Sequence, residues 1–157
     1  MSDSNPEQAL EALGLTLPES VPPGGLYKKV LVDGDKAYIS GHGPYLGGGQ
    51  YMTGRLGEDM DVEAGRAAAR QTGLALLRTM KDELGDLSRV DRILKTLAFV
   101  NSTDGFSRQP DVINGFTELM RDVFGEDRGI SARSAIGTNV LPGNIAVEIE
   151  LTLRLVK

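Results

Sequence analysis

Between Val147 and Leu155 the chain alternates strictly. Val147, Ile149, Leu151, Leu153 and Leu155 are apolar, and Glu148, Glu150, Thr152 and Arg154 are polar. A period of two marks a strand with one buried face. A second alternation precedes it: Ala132, Ser134, Ile136, Thr138 and Val140 against Arg133, Ala135, Gly137 and Asn139. Leu141-Pro142-Gly143-Asn144 lies between the two, so they read as a hairpin pairing Ile136 with Leu151 and Val140 with Val147. Two stretches follow the helical period instead. From Asp61 to about Leu84, Ala64, Ala67, Ala68, Leu77, Met80 and Leu84 form one stripe, closed by Gly85. From Pro110, Val112, Ile113, Phe116, Leu119, Met120 and Val123 form another, closed by Gly125.

Shorter signals complete the order. Asn5-Pro6-Glu7-Gln8 is a helix start, with a capping Asn, Pro at the first helical position and acids at the positive dipole end. That helix stops at Gly14, and a Pro- and Gly-rich arm runs from Leu17 to Gly25. Leu26–Val32 and Lys36–Gly41 flank Asp33-Gly34-Asp35, a hairpin signal. Gly41–Gly57 holds seven glycines and reads as a long loop, a length that is often functional. Ile93–Val100 is a further strand. The predicted class is α+β, in the order β-β-α-β-α-β-β. One mixed sheet with two long helices on one face would bury both apolar stripes. The 157 residues fit one domain, with the helix and arm of 1–25 at its start.

Charge narrows the function. The net charge is −5 and the pI about 4.9. The only adjacent basic pair is Lys28-Lys29, with Asp33 and Asp35 close behind. This argues against a duplex nucleic-acid binder, which needs clustered cations to neutralise phosphates. The chain has no cysteine, which removes disulfides, thiolate nucleophiles and Cys-based metal sites. Met1–Leu10 has neither a basic nor an apolar leader region, and no apolar run approaches a membrane span. A cytoplasmic chain is expected.

The glycine pattern at Gly41, Gly43 and Gly47 is not a dinucleotide fingerprint, because the required position is Leu46, and no Gly-Lys-Ser/Thr follows. The single histidine, His42, reads as a hydrogen-bonding residue rather than a catalyst. Gly47-Gly48-Gly49 reads as a flexible tip rather than an anion nest. Arg133 stands among small residues on one face of its strand. It is either a solvent-facing cation on an edge strand or, with room above its neighbours, a bidentate carboxylate clamp. Glu148 lies on the polar face of the last strand. In the assumed hairpin it sits opposite Asn139, roughly 20 Å from Arg133, a gap that two chains of an oligomer could close.

Ala132-Arg133-Ser134-Ala135, Leu141-Pro142 and Val147-Glu148-Ile149-Glu150 resemble the C-terminal signature of the RidA/YjgF family. Ser40-Gly41, Phe99-Val100 and Val112-Ile113-Asn114-Gly115 fall in the same order. The resemblance covers about Leu26–Leu155. It implies a chorismate-mutase-like fold assembled as a homotrimer, with a sheet-lined barrel, helices outside and clefts between subunits. It implies hydrolysis of reactive 2-imino acids (2-iminobutanoate, 2-iminopropanoate and their enamines) to 2-keto acids and ammonia. No metal or organic cofactor would take part; the acidic balance and the lack of an apolar span separately predict no nucleic-acid or membrane partner. Arg133 would hold the substrate carboxylate, and Glu148 would position water or shuttle a proton. Tyr27 and Asn114 would line the cleft, and backbone near Ser134 and Ala135 would meet the imine end. Ala135 stands where the family often has Cys, His42 where it has Gln, and Thr117 where it has an aromatic residue. A metabolite-binding trimer without turnover, a purely structural role for Arg133, and the endoribonuclease or translation-inhibitor activity described for some relatives remain alternatives. The Gly43–Gly57 loop, with Tyr45 and Tyr51, is expected to shape specificity.

Overall fold

The computed structural model describes residues 5–157; Met1–Ser4, part of the polar N-terminal stretch, lie outside the described residues. The elements are α1 (Pro6–Ala12), β1 (Val30–Asp33), β2 (Lys36–His42), β3 (Tyr45–Gly47), β4 (Gln50–Tyr51), α2 (Val62–Leu84), β5 (Val90–Asn101), α3 (Gln109–Phe124), the short α4 (Glu126–Gly129), β6 (Ala132–Thr138) and β7 (Val147–Leu155). Caps sit where the sequence put them. Asn5 accepts from the Glu7 N–H, Asp61 accepts from the Ala64 N–H, and Gly85 and Gly125 close the two long helices. β1 and β2 form a hairpin around Gly34-Asp35, with Asp33 opposite Lys36. β1 begins at Val30, later than expected, and Leu26 is fully exposed in the arm.

Five strands make one sheet in the order β1-β2-β7-β5-β6. The sheet is mixed: β6 runs parallel to β5, and β7 is antiparallel to both β5 and β2. Here the expected β6–β7 hairpin fails. β5 lies between the two strands, so neither the Ile136–Leu151 nor the Val140–Val147 pairing exists. The link Leu141–Ala146, with Gly143 and Asn144 at positive φ, carries the chain across β5 instead of turning it back. A strand with two apolar-bearing faces satisfies either neighbour, so local pattern alone could not choose.

Both long helices cover one face. All six apolar positions predicted for α3 are buried. In α2 the buried face is broader than the predicted stripe: Gly65, Ala68, Ala69, Thr72, Gly73, Leu76, Leu77 and Met80 point inward, and Ala67 is exposed. Small residues there let α3 approach. A Cβ at Gly115 would strike the Arg66 backbone carbonyl, and one at Gly73 would sit 2.7 Å from Leu119 Cδ2. Ala98, Val100, Val147, Ile149, Leu151 and Leu153 complete the core beneath the helices.

The other sheet face is open. Leu31, Tyr38 and Ile136 are 49%, 44% and 46% exposed on it, and Val140 beyond β6 is 68% exposed. The apolar positions of β6 therefore face away from the core, opposite to the sequence expectation. The side toward the helices carries Arg133, Ala135 and Gly137. Gln109 and Ser102 fill the space over Gly137, where a Cβ would meet both at 2.8 Å. The Gly41–Gly57 segment is also not a bare loop. It contains the β3–β4 hairpin, turned by Gly47, Gly48 and Gly49 at φ of 101°, 59° and 77°.

Candidate functional site

The structure gathers four of the six predicted site residues into two groups, Arg133 with Asn114 and Glu148 with Tyr27, and leaves Ser134 and Ala135 outside both. Arg133 projects from β6 onto α3. Its Nη1 donates to Asn114 Oδ1 at 2.9 Å and to Thr117 Oγ1 at 3.0 Å, and its Nη2 donates to the Pro110 carbonyl at 3.4 Å. Helical spacing puts Asn114 and Thr117 on one face, so a single side of α3 holds the guanidinium. All three partners are neutral, and among the described residues no carboxylate pairs with Arg133. Burial depresses its pKa by taking the charge partly out of water. A guanidinium held by neutral acceptors keeps its full charge for an outside anion.

Glu148 and Tyr27 form the second group. They border a cleft of about 690 Å³ between the arm, the β3–β4 hairpin and the Leu141–Ala146 link. Glu148 leaves β7 toward Gly41, where an added Cβ would lie 2.9 Å from its carboxyl carbon. That space exists because β2 bulges between Ile39 and His42 against β7. Burial first, and the neighbouring Glu150 second, raise the Glu148 pKa. Among the described residues nothing hydrogen-bonds its carboxylate, so burial is not compensated. Tyr27 is half exposed, and its hydroxyl accepts from the Gly24 N–H at 3.0 Å.

The same bulge directs the His42 ring toward α2, although the residue also borders the cleft. Its ring is buried, with Nδ1 2.7 Å from the Ser40 carbonyl and Nε2 2.8 Å from Thr79 Oγ1 of α2. The carbonyl can only accept, so Nδ1 carries the proton and Nε2 accepts from Thr79. Burial lowers the His42 pKa. It is a hydrogen-bonding residue, as its isolation in the sequence suggested. The glycine tip, by contrast, is tied down. Gly48 N–H and the Tyr45 hydroxyl both donate to Glu19 Oε1, at 2.5 and 2.8 Å, which lowers the Glu19 pKa and fastens the arm to the hairpin.

Within the chain the two groups do not meet. Arg133 pairs with Thr96, and Thr96 with Leu151; Glu148 pairs with Phe99, and Phe99 with Ile136. Arg133 and Glu148 are thus three residues apart along the strands and two strands apart across them, about 10 Å in each direction. Odd spacing also puts them on opposite faces. The assumed hairpin exaggerated the separation along the strand and missed this opposition. Ser134 and Ala135 divide the same way: Ser134 lies on the open face near Lys95 Nζ at 3.4 Å, and Ala135 packs against the core. Sequence reasoning also missed Thr117. It stood out only as a departure from the family pattern, although its three-residue spacing from Asn114 was visible.

A mixed five-stranded sheet with two long helices on one face defines an α+β fold of the chorismate-mutase-like kind. Residues 7–154 match the family described as "YjgF/chorismate mutase-like, putative endoribonuclease", and the chain belongs to that family. It is 40% identical over 146 residues to Protein TCP17 of Trypanosoma cruzi, covering 93% of this chain and 91% of that one. The crystal structure of Atu1372 from Agrobacterium tumefaciens, of unknown function, is similar at 36% identity and a TM-score of 0.87, covering 96% and 92% of the two chains. A Shewanella oneidensis protein titled a putative endoribonuclease matches at 31% identity and a TM-score of 0.91, covering 97% and 100%.

Proposed function

We propose that the protein hydrolyses 2-imino acids to 2-keto acids in clefts between the subunits of a homotrimer. The observation that carries this reading is the half-buried Arg133 guanidinium, oriented by Asn114, Thr117 and Pro110 and left without an acidic partner among the described residues. Its planar fork fits a carboxylate bidentately. The exposed apolar side chains on the open sheet face would be covered by neighbouring subunits. Such packing would bring the Arg133 group of one subunit to the Glu148 cleft of the next.

The chemistry follows from those two groups. Arg133 holds the carboxylate of R–C(=NH2+)–COO−, and its charge favours attack at the adjacent carbon. Ionised Glu148 takes a proton from water as the new C–O bond forms and the C=N π pair moves to nitrogen. The resulting amine takes the proton from Glu148. The hydroxyl then gives its proton back to Glu148 as the C–N bond breaks, and the departing NH3 takes it from there, leaving R–CO–COO− and NH4+. Water supplies the oxygen, and no redox change occurs.

The test is keto-acid release when an amino-acid oxidase generates imino acids in the presence of the protein. Wild type is expected to accelerate release. Arg133→Ala is expected to lose at least about 100-fold, the low end for two charge-assisted hydrogen bonds. No acceleration of any imino acid by wild type would overturn the reading, and ligand-induced stabilisation without turnover would replace it with metabolite binding. The names of relatives point to RNA cleavage, which is tested on the same samples. The net charge of −5 and the buried, hydrogen-bonded His42 disfavour it.

A further inference from the structure

The cleft beside Glu148 is larger than the proposed reaction requires. We propose that its outer lobe receives a bulky aromatic side chain, so that the substrates are 2-imino acids with aryl substituents. The inference rests on the imine-hydrolysis reading and adds the substrate class.

The imine carbon is trigonal, with three substituents to place. The carboxylate goes to Arg133 of the neighbouring subunit, and the nitrogen stays within reach of Glu148. Only the third substituent can enter the remaining space. That space is part of a cleft of about 690 Å³, within the roughly 300–1,000 Å³ of pockets that enclose drug-sized ligands. Its walls include the apolar or aromatic side chains of Val21, Pro22, Tyr51, Pro142 and Ile145, alongside the neutral polar Gln50 and Thr53.

The walls are also packed against one another. A Cβ at Gly43 would come within 2.8 Å of Ile145 Cδ1 and 3.3 Å of the Tyr51 ring, so glycine lets both side chains close down on this part of the floor. Tyr51 leans on Tyr45 with ring centroids 5.1 Å apart at 53°, a favourable aromatic geometry. Tyr45 in turn is held by Glu19, and its backbone carbonyl accepts from Gln71 of α2 at 2.6 Å. The one cation in the lining, Lys29, donates to the Val21 carbonyl at 3.2 Å and pairs with Glu83 at 3.5 Å. Its charge is already met, so the lobe offers no free cation to a second anionic group. An uncharged aryl side chain suits it best.

The experiment compares imino acids bearing methyl, isobutyl, benzyl and indolylmethyl groups in the coupled assay, with wild type and Tyr51→Ala. In wild type kcat/KM is expected to rise at least about tenfold from methyl to benzyl, and Tyr51→Ala to cut the benzyl-to-methyl ratio about tenfold. A flat series, a preference for methyl, or equal loss on both substrates in the variant would overturn the inference. If wild type turns over nothing, the reaction is refuted, and the lobe is judged by thermal shift with phenylpyruvate against pyruvate. Stabilisation by phenylpyruvate that Tyr51→Ala removes upholds the aryl pocket; equal or absent stabilisation rejects it.

Discussion

Glu148 is a carboxyl group in an environment that disfavours its charge. Burial is the larger cause and Glu150, two residues along the same face of β7, the smaller. A catalytic role needs the ionised form, so the acid limb of a kcat/KM profile should lie above the ordinary carboxylate range near 4.3. Glu150→Gln removes the repulsion and should move that limb toward lower pH without abolishing turnover. An unmoved limb would mean that the limb reports some other group. The sign for stability is opposite. A raised folded pKa means that the fold prefers the neutral acid, so ionising Glu148 costs stability above that pKa. Glu148→Gln is therefore expected to be inactive yet no less stable than wild type at neutral pH by thermal denaturation. On the other half-site, Thr117→Val removes one of three groups that orient Arg133. KM should rise about tenfold with kcat less affected, since one hydrogen bond to a charged group contributes about 1.5–3 kcal/mol before discounting for exposure.

Two contacts between elements position these residues. The first is His42 of β2 on Thr79 of α2, both buried. Thr79→Val leaves Nε2 without a partner, at a cost of about 1–3 kcal/mol, or a fall in Tm of about 2–12 °C for a chain of this size. The pH sign follows from the direction of the His42 shift. A histidine whose folded pKa is lowered binds its proton more readily when unfolded. Its contribution is complete above the unfolded value of about 6.5 and is lost as pH falls from there through the lowered folded value. Stability in wild type should therefore drop over that window, and a His42→Gln variant should show a flatter profile. The second contact is the crossing of α3 on α2 at Gly115. Gly115→Ala pushes a methyl against the Arg66 backbone and should cost about 1–3 kcal/mol by overpacking. Because Asn114 is the adjacent residue, activity should fall with stability. Folded protein with full activity would show that the helices slide without moving Asn114.

For the whole molecule, the open sheet face and the split site lead to one expectation. A subunit that leaves Leu31, Tyr38, Ile136 and Val140 exposed has an unpartnered apolar surface. Sedimentation should give about three times 16.8 kDa, and Ile136→Asp should shift it toward the single chain with loss of activity. The stricter check mixes two inactive variants, Arg133→Ala and Glu148→Gln. If each site takes Arg133 from one subunit and Glu148 from the next, random mixed trimers should regain about a quarter of wild-type activity. Failure to recover any activity in mixed trimers would place both groups in the same subunit's site, against their placement on opposite faces of the sheet.

Much of this was legible in the residues themselves. Caps at Asn5 and Asp61, stops at Gly85 and Gly125, the β1–β2 turn and the burial pattern of α3 and β7 are local matters, and local chemistry decides them. Arg133, Glu148 and Asn114 could be named because each sits in a motif carried along the chain, and Tyr27 because the family resemblance implies an early cleft tyrosine. Strand order was not local. β6 and β7 are joined by a link short enough for a hairpin, yet β5 takes the place between them, and that choice rests on long-range burial beneath α2 and α3. The face on which Arg133 lies followed from it, as did Thr117 as its holder and the separation from Glu148. The bulge that makes room at Gly41 and the Glu19 latch on the glycine tip likewise needed distant segments to meet. Periodicity shows that a strand has two faces; only packing against the rest of the molecule decides which one is buried.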